Sequence, residues 1–129
     1  MLTVLEGRRI WLARAVVDMR KSFDTLAALV KNQLDRDPYA GDVFVFLGKT
    51  RSRVKILVWD ISGFWLCAKR LEKGTFALPH PLQKPDSRSV VILSSAEMHM
   101  LLEGINVHHA TYHRHYHRPD AAVENSTNV

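Results

Sequence analysis

Three apolar runs, at 43–47, 54–59 and 64–71, follow one another through the middle of the chain. All are rich in β-branched and aromatic residues, and turn-forming clusters separate them. That pattern predicts a β-meander. The first connection, 48–53, is basic, flexible and too polar to bury. The second, 60–63, places Asp first and Gly last, as a tight hairpin loop prefers. Because side chains alternate faces with period 2, register follows from the pattern. With Asp60 opposite Gly63 and Leu47 opposite Val54, one face collects Val43, Val45, Leu47, Val54, Ile56, Val58, Trp65 and Cys67. The other collects Phe44, Phe46, Leu57, Trp59, Phe64 and Leu66, with Arg53, Lys55 and Arg70 at one end. Both faces are apolar in the middle, so the sheet needs cover on both sides.

The flanks supply that cover. Phe23, Leu26, Ala27, Val30 and Leu34 repeat at helical spacing, after Asp18 or Ser22 as a cap and before the helix-breaking Pro38. Ser94 and Glu97 have the spacing of a capping box, and Met98, Leu101, Leu102 and Ile105 form a second stripe that Gly104 and Asn106 end. Residues 1–8 read as a loose lead-in, 10–13 as a short edge strand and 75–78 as a fourth meander strand. Residues 90–93 suit a buried strand or the lead into a helix. From 107 onward no helical or strand period remains. The expected architecture is therefore α+β: a small, mainly antiparallel sheet (meander 42–71 plus flanking strands) packed by two amphipathic helices near 20–34 and 95–104. Residues 1–106 form one domain, and 107–129 a mobile, His-rich tail.

Composition narrows the function classes. The chain has 129 residues, 47% of them hydrophobic, which excludes general disorder. No apolar run is long enough to span a membrane, and no signal peptide is visible. The single cysteine, Cys67, excludes an intramolecular disulfide and suits a reducing cytoplasm. The formal charge is +5; within 48–73 there are 7 Lys/Arg against 2 Asp/Glu, which points to a polyanionic partner.

The blocks DMRKSFDTLAALV (18–30), DPYAGDVFVF (37–46), RVKILVWDISGFWL (53–66) and KRLEKGTF (69–76) occur in this order. Together they resemble the TnpB-type accessory protein, or second open reading frame protein, of the insertion-sequence-66 family of bacterial transposons. The likeness runs from about Ile10 to Asn106. It implies an accessory role beside a large transposase that carries the catalytic carboxylates, with transposon-end DNA and that transposase as partners.

The candidate DNA-binding set is Lys49, Arg51, Arg53, Lys55, Lys69, Arg70 and Lys73, gathered at one end of the second and third meander strands. Arg53 lies opposite Arg70. Like charges across a ladder repel, a cost that bridging phosphates would repay; the alternative is a solvated hairpin end whose lysines blunt strand edges. Phe44, Phe46, Trp59 and Phe64, on the same face, suit either a core or a single-strand stacking platform. His113, His115 and His117 alternate in the tail, without the Cys or carboxylate pattern of a structural metal site. Asp18 and Asp60, with Glu97 or Glu103, are candidates for the three carboxylates of a two-metal nuclease, though a cap and a hairpin account for the first two. No motif asks for a cofactor. The expected function is non-catalytic: an accessory protein for transposition. The alternatives are an interaction subunit without DNA contact and, third, a metal-dependent nuclease.

Overall fold

The computed structural model describes residues 5–79, 82, 87–106 and 111–112. The chain forms β1 (Ile10–Ala13), α1 (Phe23–Asn32), β2 (Val43–Leu47), β3 (Arg53–Asp60), β4 (Gly63–Arg70), β5 (Val90–Leu93), α2 (Ser95–Glu103), β6 (Ile105–Asn106) and β7 (Thr111–Tyr112). The main sheet has the order β4-β3-β2-β1-β5, with β1 and β2 parallel and the other neighbours antiparallel. The meander register is the one alternation requires, from Val43 opposite Val58 to Asp60 opposite Gly63.

Two apolar faces produce two cores. Leu12, Val43, Val45, Val54, Ile56 and Val58 pack with Met98, Leu101 and Leu102 of α2. On the other face Phe44, Phe46 and Leu57 pack with Leu26, Ala27, Leu29 and Val30 of α1. α1 begins where Thr25 Oγ1 accepts the Ser22 N–H at 2.9 Å and stops at Asn32. Leu34 stays buried in the following turn, and Asp35 takes a left-handed conformation. Phe23, expected on the buried stripe, is 44% exposed at the first helical position. α2 has the predicted box: Ser94 Oγ accepts from the Glu97 N–H at 3.0 Å, and a Glu97 carboxylate oxygen accepts from the Ser94 N–H at 2.9 Å. It ends at Gly104, whose φ of 78° is one that glycine adopts without strain.

Three expectations are corrected. Residues 10–13 are not an edge strand: β1 lies between β2 and β5, because α1 carries the chain across one face and returns it parallel to β1. Residues 75–78 form no strand. Instead Phe76 inserts its ring into the α2-side core, and its N–H donates to the Arg51 carbonyl at 2.7 Å. The lead-in is not loose over 5–8, since Leu5 is buried and Arg8 is bound on three sides; residues 1–4 lie outside the described residues. Near the end of the described chain, β6 pairs antiparallel with β7. The rest of the tail lies outside the described residues.

Arg8 ties the hairpin end of the sheet together. Its guanidinium donates to the carbonyls of Gly41 (2.7 Å) and Trp59 (3.0 Å) and to Asp60 Oδ1 (2.8 Å). Arg8→Ala leaves a carboxylate and two carbonyls without this donor. A loss of about 1.5–3 kcal/mol in stability is expected, as for hydrogen bonds to charged groups. Urea denaturation checks it; a midpoint equal to that of the parent protein would mean water replaces the guanidinium at no cost.

Candidate nucleic-acid interface

β2 ends, β3 begins and β4 ends at the same edge of the sheet, so the turn after β2 and the segment after β4 emerge together. The turn at 48–52, expected to be flexible, is laced by backbone bonds. Gly48 N–H donates to Arg53 O (3.0 Å), Arg51 N–H to Gly48 O (2.9 Å) and Leu71 N–H to Ser52 O (2.7 Å). Glycine at 48 makes room for a neighbour: a Cβ there would lie 2.8 Å from Met19 Cγ. Met19 comes close because the Val17 N–H donates to Leu47 O at 2.9 Å, extending the ladder and laying the segment before α1 over this end.

The seven cations do not behave alike. Arg53 and Arg70 are directly opposed in the β3–β4 ladder, both exposed. Arg70 pairs with Glu72 at 2.9 Å, whereas Arg53 makes no ion pair among the described residues. Lys55, on the α1 face, donates to Lys21 O at 2.6 Å. Lys69, on the α2 face, donates to Leu102 O at 2.8 Å, in the last turn of a helix where carbonyls lack intrahelical partners and attract cations. Each ammonium keeps further donors for a ligand. Arg53, Lys55, Lys69 and Arg70 line a shallow cavity of about 260 Å³ with Met19, Val54 and Ala68, although the Lys69 ammonium is drawn to Leu102 O on the α2 face. Lys49 joins Arg53 around an adjoining hollow that Asp18 also borders. Lys73 is exposed, and Arg51 contributes its backbone to the turn, at a φ of 59°.

The structure adds cations that periodicity could not find. Lys21 borders the site through its carbonyl bond to Lys55. Arg14 follows β1 and its N–H donates to Ser89 O at 3.0 Å, so Arg14 and Arg88 flank the same end of the β1–β5 ladder. Finding them from sequence would have required the strand order, since they sit far apart in the chain.

The competing chemistries are separated in space. Arg20 grips Asp18 through both side-chain and backbone N–H groups, which hold its carboxyl well below the usual carboxylate range. Asp60 lies at the opposite end of β3, bound to Arg8. Glu97 accepts from the Ser94 N–H in the capping box of α2. Among the described residues no three of His, Cys, Asp and Glu come together as a metal site; His113, His115 and His117 lie outside them. The aromatic face divides as well. Phe44 and Phe46 are buried under α1, while Trp59 and Phe64 cluster with Tyr39 (ring centroids 5.1–5.3 Å apart) at the hairpin end, away from Arg53 and Arg70. Among the described residues, the aromatic cluster of Tyr39, Trp59 and Phe64 does not adjoin these cations.

Comparison with known proteins gives a consistent picture. Residues 8–112 match the family described as IS66 Orf2 like protein. The chain is similar to the uncharacterized protein y4jC of Sinorhizobium fredii, 38% identical over 78% of this chain and 81% of that protein. It is also similar to the uncharacterized protein y4hO of the same organism, 34% identical over 84% and 90%. No solved structure matches. Among the described residues, no helix is long and apolar enough to cross a membrane.

Proposed function

The chain belongs to the IS66 Orf2-like family of insertion-sequence proteins, and from that premise we propose that it serves DNA transposition as a non-catalytic accessory protein. Its basic sheet end takes hold of the phosphates of transposon-end DNA, beside the partner transposase. The observation that carries this reading is the opposed pair Arg53 and Arg70 at the end of the sheet, with Lys55 beside them on the α1 face and Lys69 on the α2 face. Folding alone gains nothing from two arginines facing each other across a ladder. A phosphate between them turns that repulsion into two charge-assisted hydrogen-bonding sites. The chemistry of strand transfer is left to the transposase, in keeping with Asp18, Asp60 and Glu97 each being committed to a structural partner.

Phosphate contacts release condensed counterions, so affinity falls linearly with salt in log–log form, by about 0.9 in slope per contact on duplex DNA. Arg53→Gln with Arg70→Gln is expected to weaken binding to all sequences alike and to lower the slope by about 1.8. Arg36→Gln, at the far end of the sheet where Arg36 stacks on Trp11, should leave the slope unchanged. Fluorescence anisotropy across a salt series reads both. No salt-dependent binding, or an unchanged slope in the double variant, would put the interaction subunit without DNA contact in first place.

A further inference from the structure

β4 ends the sheet on one side, and β3 is its only ladder partner among the described residues. It is eight residues long, and its pairing with β3 runs without a bulge from Arg70 to Gly63. Such an edge offers a row of outward N–H and C=O groups to another strand. Natural sheets blunt it with charge, proline, bulges or brevity. β5, at the other edge, is only four residues long. β4 carries charge at Lys69 and Arg70 alone, and 64–68 are uncharged and include the strand-favouring Phe64 and Trp65. Trp65 stands on this strand 56% exposed, the kind of residue enriched where protein surfaces meet.

We propose that β4 pairs antiparallel with β4 of a second copy of this chain, about a two-fold axis through Cys67, joining two sheets into one. The register follows from symmetry and charge. Opposed residues in an antiparallel ladder share a face, so the two-fold must pass through a residue rather than between two. Centred on Cys67, Trp65 faces Lys69 of the partner subunit, Phe64 faces Arg70 of the partner subunit, and Leu66 faces Ala68 of the partner subunit. Every cation of the edge then meets an aromatic ring on its own face, and no like charges are opposed. Centred on Leu66, the same cations face Gly63 and Ser62; centred on Ala68, they face Cys67 and Leu66. Neither alternative pairs a cation with a ring. Lys69 can keep its bond to Leu102 O, because an ammonium has three donors.

The pairing does not depend on DNA binding and is tested without it. Sedimentation of the full-length protein should show a dimer that dissociates on dilution. Directly opposed Cα atoms lie about 4.5–5.5 Å apart, within disulfide reach. Diamide, which takes two electrons and two protons from a pair of thiols, should therefore give a covalent dimer that Cys67→Ser abolishes. Trp65→Lys sets an ammonium against Lys69 of the partner subunit. It should raise the dimer Kd at least about tenfold while leaving the melting temperature unchanged at dilutions where the parent is monomeric, since the ring is mostly exposed. Trp65→Lys with Lys69→Glu restores opposite charges and should recover the dimer. A monomer up to about 100 µM, a dimer indifferent to Trp65→Lys, or a dimer that diamide fails to link would each overturn the proposal.

Discussion

Leu26→Asp should abolish cooperative folding. Leu26 is fully buried between α1 and the sheet, in the cluster with Phe44, Phe46 and Leu57. Removing such a side chain costs about 2–5 kcal/mol even when nothing polar replaces it. A carboxylate with no partner among these apolar groups adds several kcal/mol more, by desolvation of the ion or by forcing its protonation. The sum reaches the whole stability of a typical domain, about 5–15 kcal/mol. Circular dichroism should show no sigmoidal melt. Ala28→Asp, exposed on the same helix, serves as the control and should shift stability by only about 0.5 kcal/mol. A soluble Leu26→Asp protein with an unchanged melting temperature would place this helix face in water and refute the packing.

Phe76→Ala carries the next largest expected effect. The ring is fully buried although it lies outside any helix or strand, and it fills the α2-side core with Leu12, Val54 and Leu101. Truncation of a buried Phe costs about 3–5 kcal/mol, and here the neighbouring backbone loses its anchor too. The Phe76 N–H holds the Arg51 carbonyl, and the Leu71 N–H holds Ser52 O, so the segment after β4 clasps the turn that bears Lys49 and Arg51. Thermal denaturation should show the stability loss. Amide exchange at Arg51, Leu71 and Phe76 should accelerate more than at Val45. A melting temperature within about 2 °C of the parent would mean the pocket collapses around the missing ring.

Local signals made the meander and both helix starts legible. Alternation set the pairing of β2, β3 and β4 to the residue, and Ser94 with Glu97 marked the start of α2, because these depend on neighbours in sequence. Phe76 misled for the opposite reason. A large apolar residue after a turn reads as a strand, and only the tertiary pocket shows that it is a plug. Trp11, half-buried under the guanidinium of Arg36 with its Nε1 donating to Asp42 at 2.9 Å, likewise took its role from contacts the pattern does not encode. The hairpin at 60–63 was visible from its Asp and Gly, but the left-handed φ of 57° at Ile61 was not, since β-branched residues avoid that region. For the interface, the opposed arginines followed from register. The helix-end commitments of Lys55 and Lys69, on opposite faces, required knowing where α1 and α2 dock.

The place of β1 inside the sheet sets a schedule for synthesis. β1 is made before β2, β3 and β4, which can assemble on one side of it as they follow. Its other side is completed by β5, which lies near the far end of the described chain. Until then the nascent domain carries a bare, apolar interior strand as a temporary edge, and closing it requires a contact of long sequence separation, the slow kind in folding. A ribosome stalled before Val90 would thus display β1, in place of the four-residue β5, as the open edge opposite β4. Such arrested chains should recruit chaperones or aggregate, whereas chains released after α2 should escape both fates.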